Sequence, residues 1–186
     1  MSFALEVKSE LCRTPLSRRC CAQAEAYGVL LYCNTFHAEQ ARIVTEHEAF
    51  AQRLPLLFKK AFKLTFDRFP QGGGKQTFSI ENPAKLAVLH QAFGSDLRAL
   101  ALHLNFAMVE EACCRSALLR GAFLAGGSVT DPRKGYHLEL ATSHHSVSRE
   151  VLALMRELDQ EPKSAQRKGN AVIYFKQSEK IEDFLT

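Results

Sequence analysis

Cysteine is the side chain in this sequence best equipped for chemistry, and there are six: Cys12, Cys20, Cys21, Cys33, Cys113 and Cys114. A thiolate can attack an electrophile, ligate a soft metal or form a disulfide. Four of the six stand as vicinal pairs, and none forms a C-x-x-C spacing. Adjacent cysteines are poor joint ligands for one zinc ion, so the six read as small apolar core side chains. Arg18, Arg19 and Arg115 flank the pairs, which keeps redox sensing as a secondary reading. His144 and His145, with His137, have no Cys or carboxylate cluster to complete a metal site. The run from Pro70 to Lys75 holds three glycines but lacks the Lys-Ser/Thr pair and following helix of a phosphate loop. It reads as a hairpin loop. No metal and no cofactor is therefore expected.

The elements that must position these residues show a repeat. The two Cys-Cys pairs stand 93 residues apart, and that offset lays Ala24, Gly28 and Leu31 on Ala117, Gly121 and Leu124. Each pair opens a helical stretch. After the first come a strand ARIVTE, a helix EAFAQRLPLLFKKAF, strands KLTFDRF and KQTFSIE around the glycine turn, and a helix opened by Asn82 and Pro83. After the second come a strand YHLELAT, a helix from Ser146 to Asp159 capped by Ser143 or Ser146, a hairpin PKSAQRK and AVIYFK turning at Gly169-Asn170, and a short helix SEKIEDFL. The predicted fold is α+β, a pseudo-twofold tandem repeat of α-β-β-α-β-β-α. One domain covers 1–186, with repeat one over about 17–92, a helical bridge over about 93–110 and repeat two over about 111–186. Ala24 and Gly28, and Ala117, Gly121 and Ala125, form small-residue stripes on the two leading helices. They predict a seam where two backbones approach closely.

Composition bounds the rest. The chain has 186 residues, 46% hydrophobic and 24% charged, which suits a packed globular domain and excludes disorder. No run of 18 apolar residues exists to span a membrane. Glu6, Lys8 and Glu10 sit where a signal peptide needs its apolar region, so a cytoplasmic location is expected. Lys plus Arg is 24 against 20 for Asp plus Glu, a net charge of +4 that permits a polyanion partner without demanding one.

LRGAFLAGG, from Leu119 to Gly127, resembles the LAGLIDADG motif of homing endonucleases. SFALEVKSEL, AEAYGVLLYC, CRSALLRGAFLAGGSVTDPRKGYHLEL and RKGNAVIYFKQSEKIEDFL resemble the bacterial WhiA family, from Ser2 to Leu185. The resemblance implies a LAGLIDADG-type saddle and a role in transcription regulation of sporulation and cell division, with chromosome segregation within reach. It also implies a helix-turn-helix domain after this one in the full-length protein. The motif's catalytic acid falls at Gly126 and, 93 residues earlier, at Cys33, neither a carboxylate. No nuclease activity is therefore expected.

In the resembling nucleases the concave sheet face lies along DNA. Alternation places Lys63, Thr65 and Asp67, then Lys75, Thr77 and Ser79, then His137 and Glu139 outward, with Tyr136 inward. Lys63, Lys75, Thr77, Lys134, His137, Arg167 and Lys168 are the DNA-binding candidates, cations for phosphate and the others for phosphate or base edges. The expected partners are DNA, held weakly by this domain alone, and another regulatory protein. The expected setting is the nucleoid, as a monomer with internal pseudo-symmetry. An interaction or scaffold module that positions the helix-turn-helix is the alternative function.

Overall fold

Two helices with glycines at their midpoints form the axis of the molecule. In the computed structural model, which describes residues 2–68, 70, 74–95 and 101–186, these are α2 (Arg19–Tyr32) and α5 (Ala112–Gly126). A short helix α1 (Phe3–Leu11), N-capped by Ser2, precedes them. Strands β1 (Thr35–His37) and β2 (Gln40–Thr45), helix α3 (Glu48–Phe62), strand β3 (Gln76–Ile80) and helix α4 (Pro83–Phe93) follow α2. Strands β4 (Gly127–Val129) and β5 (Leu138–Thr142), helix α6 (His145–Glu157), strands β6 (Lys163–Arg167) and β7 (Asn170–Phe175) and helix α7 (Ser178–Leu185) follow α5. The first residues of α2 and α5 are 93 apart, and each later element of the first half has its counterpart within a few residues of that offset, while β6 has no partner strand in the first half.

Each half lays an antiparallel sheet beside its helices, in the orders β1-β2-β3 and β4-β5-β7-β6. Period-2 alternation sets which side is buried. Phe36, Ala41, Ile43, Phe78 and Ile80 turn inward from the first sheet, and Leu138, Leu140, Ile173 and Phe175 from the second. The helices close the core with 3.6-residue stripes: Phe50, Leu54, Leu57 and Phe58 on α3, and Val147, Val151 and Leu154 on α6. Burying each such side chain contributes about 1.5–3 kcal/mol before the entropy of ordering it. Pro55 removes one donor from α3 without ending it. Asn82 accepts from the backbone N–H groups of Ala84 and Lys85, and Pro83 takes the first helical position, where it gives up no bond.

The structure corrects several sequence expectations. KLTFDRF alternates like a strand, but its described residues, 63–68, do not form one: Lys63 ends α3 in the left-handed region (φ 56°), and among them Arg68 alone makes a β-bridge, to Ser79. The Asp67 carboxylate instead accepts from the backbone of Glu81 and Asn82, and Lys85 donates to Asp67 and to Thr65. These bonds tie the segment to the start of α4, while the backbone N–H groups of Asp67 and Arg68 donate to the Ser79 carbonyl of β3. Gln71–Gly73 of the glycine turn lie outside the described residues. The bridge is not one helix. Gly94 stops α4 at φ 64°, residues 96–100 lie outside the described residues, and 101–105 run irregularly into a 3-10 turn at Phe106–Val109. Tyr27 holds this run, donating to the His103 carbonyl and accepting from the Asn105 N–H. Helix α6 starts at His145 behind His144, whose side chain makes no capping bond, so neither Ser143 nor Ser146 is its cap. The last hairpin turns at Lys168-Gly169 (φ 52° and 83°), the pair of positive φ values that a two-residue type I′ loop requires. Asn170 already belongs to β7. Tyr136 precedes β5 and is half exposed, while Ser79 is buried.

Candidate nucleic-acid interface

The seam is built from backbone contact. A Cβ on Gly28 would overlap the Leu118 carbonyl oxygen and lie 2.9 Å from the Ala122 nitrogen. A Cβ on Gly121 would overlap the Glu25 carbonyl oxygen and lie 3.0 Å from the Val29 nitrogen. The contact is reciprocal, glycine against the facing backbone on both sides, and no residue but glycine fits without parting the helices. Ala24 and Ala117 are fully buried beside it, and Ala125 is partly buried.

At the C-terminal foot of the seam stand Cys33 and Gly126. The Cys33 thiol donates towards the carbonyls of Leu30 and Thr35, at 3.2 and 3.3 Å. Burial pushes its pKa up to about 12, so it is neutral at pH 7. A Cβ on Gly126 would come within 2.6 Å of the Ala141 carbonyl oxygen and 3.0 Å of the Tyr32 ring.

Glu25 has another occupation, invisible in the motif. It is fully buried and takes the Arg53 guanidinium side-on, at 2.7 and 2.9 Å, and Arg120 at 2.5 Å. Arg53 also donates to the carbonyls of Cys12 and Thr14. One carboxylate thereby joins α2, α3, α5 and the segment after α1. The signal available in the sequence was a lone acid between Ala24 and Ala26 and an arginine inside the apolar stripe of α3. Asp131 lies in the β4–β5 turn, where its hydrogen bonds with Arg133 pull its pKa down to about 2.

The strands leave the foot of the helices directly, so their outer faces flank it. On the second sheet the register sets Ser128 beside Glu139, Glu139 beside Tyr174, and Tyr174 beside Lys163. Arg167 reaches across to Glu139 at 2.6 Å, and His137 to the same carboxylate at 3.2 Å. The hydrogen bond from Arg167 holds the Glu139 carboxyl below its ordinary range. His137 stacks on Tyr174, and Lys176 lies over that ring. On the first sheet the exposed Arg42 pairs with Thr35 and Ser79, next to the half-buried Thr77.

Thr77, His137 and Arg167 thus sit on strands or at a strand start, on outer faces, and the exposed Lys75, Lys134 and Lys168 sit in the loops beside them. Lys63 does not join them: it caps α3, beside the end of the seam where Arg19 and Gln23 donate to the Ala61 carbonyl. Arg42 and Tyr174 on these faces are not singled out by the sequence, although the alternation of Ala41, Arg42 and Ile43 points to the first of them. Four of the cysteines pack together in one apolar cluster with Ala24 and Ala117, a meeting that their spacing does not foretell. The sulfurs of Cys20, Cys21, Cys113 and Cys114 all lie within 4.8 Å of one another, because the glycine crossing brings both vicinal pairs to one place. Hydrogen bonding from Cys21, with help from Arg18, lowers the pKa of Cys113. Among the described residues no helix is long and apolar enough to cross a membrane.

Residues 115–186 match the family of WhiA LAGLIDADG-like domains. The probable cell division protein WhiA of Ruminiclostridium cellulolyticum is 35% identical over 201 residues, covering all of this chain and 63% of that protein. The corresponding protein of Bacillus cytotoxicus is 30% identical over 196 residues, again covering all of this chain and 62% of its own length. The chain therefore spans about 63% of the length of such relatives. In fold it is similar to full-length DUF199/WhiA from Thermatoga maritima, with a TM-score of 0.77 at 19% identity over all of this chain and 61% of that one. It is also similar to I-DmoI in complex with DNA and Mn, with a TM-score of 0.61 at 9% identity over 89% of this chain and 94% of that one. The paired glycine helices, the two antiparallel sheets, the family match and these relatives agree: the chain is similar to WhiA proteins along its whole length, and residues 115–186 match the family model of their LAGLIDADG-like domain.

Proposed function

We propose that this chain is a non-catalytic, DNA-associated domain of a bacterial transcription regulator of cell division and sporulation. The observation that carries the reading is the foot of the seam. Metal-assisted phosphodiester cleavage needs hard oxygen ligands converging on Mg²⁺. The two motif positions offer a neutral thiol at Cys33 and no side chain at Gly126. A carboxylate at 126 would have to displace the Ala141 carbonyl and the Tyr32 ring. Glu25 is locked between two arginines, and Glu139 is engaged by Arg167 and His137. These residues do not fit a hard catalytic metal.

The outer faces support a binding role without cleavage. Arg42, Lys163 and Arg167 lie on strands flanking the foot, with Lys75, Lys134 and Lys168 in adjoining loops. Such cations meet phosphates, while Thr77, Ser128 and Tyr174 offer hydroxyls for phosphate or base contact. Arg167 is half neutralised by Glu139, which keeps the domain's own affinity low. Sequence-specific affinity then belongs to a helix-turn-helix domain in the full-length protein, whose recognition helix reads the major groove. Nucleoid association of a monomer follows from the same reading. Supercoiled plasmid incubated with excess protein and Mg²⁺ or Mn²⁺ should stay supercoiled. Nicking that survives repurification and stops on chelation would contradict the non-catalytic part.

A further inference from the structure

The seam has a second end. Helices α2 and α5 run side by side in the same direction, so their N-termini meet about 20 Å from Cys33 at 1.5 Å per residue. There each helix places a vicinal cysteine pair at its second and third positions: Cys20 and Cys21 on one, Cys113 and Cys114 on the other. One pair alone cannot enclose an ion, because adjacent helical side chains diverge by about 100°. Two pairs facing each other across the seam can. All four are free thiols, and their sulfurs lie within 4.8 Å of one another. Zinc bound at about 2.3 Å to four sulfurs holds them about 3.8 Å apart, so side-chain shifts of about 1 Å would close the set. That spacing is too tight for an iron–sulfur cluster, whose cysteine sulfurs are spread by more than one iron.

The surroundings suit the charge. A zinc tetrathiolate carries two net negative charges. Each helix N-terminus supplies about half a positive charge. Neither N-cap residue, Arg18 or Glu111, spends its side chain on capping the first turn. Arg18 adds a full positive charge, with Nη1 donating to Cys113 Sγ at 3.3 Å. Buried Ala24 and Ala117 form an apolar floor against which the four cysteines pack. Thiolates prefer a borderline-soft ion such as Zn²⁺ to Mg²⁺ or Ca²⁺.

We propose that Cys20, Cys21, Cys113 and Cys114 form a closed tetrathiolate site for a zinc-class ion, which pins the two halves of the domain together at the head of the seam. Four protein sulfurs complete the coordination, so the site is structural and leaves no position for substrate. Binding releases one proton from each thiol and changes no oxidation state.

The test uses the whole 186-residue chain, purified reduced and without air, loaded with Zn²⁺ and desalted. About one zinc should remain per chain. Co²⁺ in its place should give sulfur-to-cobalt charge-transfer absorption and the intense visible bands of a tetrahedral thiolate site. Zinc should also raise the melting temperature. Cys20→Ser and Cys113→Ser should each weaken Co²⁺ binding by at least about tenfold, while Cys12→Ser should leave it unchanged. The wild-type cobalt spectrum reads the site even if a serine variant fails to fold. Three results would overturn the proposal: a reduced chain that takes up no metal, a cobalt spectrum without thiolate bands, or equal loss in Cys12→Ser. Failure to bind metal together with a Cys20–Cys113 disulfide in air would make the cluster a redox pair instead.

Discussion

Glu25 shows how far a residue's type can mislead about its work. An acid near a LAGLIDADG-like motif invites a catalytic reading, yet its carboxylate is fully buried and bound by Arg53 and Arg120. A buried ion pair adds little against a well-packed apolar replacement, but removing one partner strands the others. Glu25→Gln, or Arg53→Met, should therefore destabilise the chain by about 3–5 kcal/mol in urea unfolding. Replacing Glu25, Arg53 and Arg120 together by Leu, Met and Leu should cost clearly less than the sum of the single changes. Additive costs would mean that the three do not act as a unit. Residue identity alone made one feature legible beforehand: cysteine and glycine at 33 and 126 supply no carboxylate. It did not reveal the crowding around Gly126, which comes from Ala141 and Tyr32, distant in the chain. Nor did it reveal the meeting of the four cysteines, because convergence depends on how two helices cross.

Elements were legible where local pattern and tertiary packing agreed. The stripes of α3 and α6, the Asn82-Pro83 start of α4 and the paired α2 and α5 all follow from spacing and capping chemistry. KLTFDRF was misread because its alternation is equally compatible with a loop pinned by Asp67 and Lys85. The seam itself gives a sharp test. In an ordinary helix, Gly→Ala gains up to about 1 kcal/mol from propensity. At Gly28 or Gly121 the added methyl meets facing backbone, which cannot rotate away. Gly121→Ala should thus be net destabilising, by about 1–3 kcal/mol. A raised melting temperature would show that the helices can separate without loss. Two histidines add a pH dependence. Burial holds His90, stacked on Phe36, and His144 below the ordinary value of 6.5. The unfolded chain then binds protons more readily than the folded one, so the stability present above pH 6.5 is lost as pH falls through that value towards the depressed folded pKa values. Melting temperature should fall between pH 7.5 and 5.5, and His90→Phe should flatten that fall. An unchanged slope in the variant would assign the effect elsewhere.

At the scale of the molecule, the fold presents two sheets of unequal size beside a seam whose foot carries no acid. On the function proposed above, that foot holds no catalytic metal and the flanking faces are left to hold DNA. The claim rests on few charges, with acids among them, so salt discriminates sharply. Each phosphate contact contributes a slope of about −0.9 in log K against log salt. Four contacts weaken binding about 10²-fold between 50 and 200 mM salt, and losing two of them lowers the slope by about 2. The measurement is fluorescence anisotropy of a labelled duplex at both salts, with the wild-type chain and with Arg42→Glu plus Lys163→Glu, one cation from each sheet. The account predicts binding at 50 mM that nearly vanishes at 200 mM, and a double variant at least about tenfold weaker at 50 mM. Tight binding by this chain alone at 200 mM, or a double variant that binds like the wild type, would contradict it.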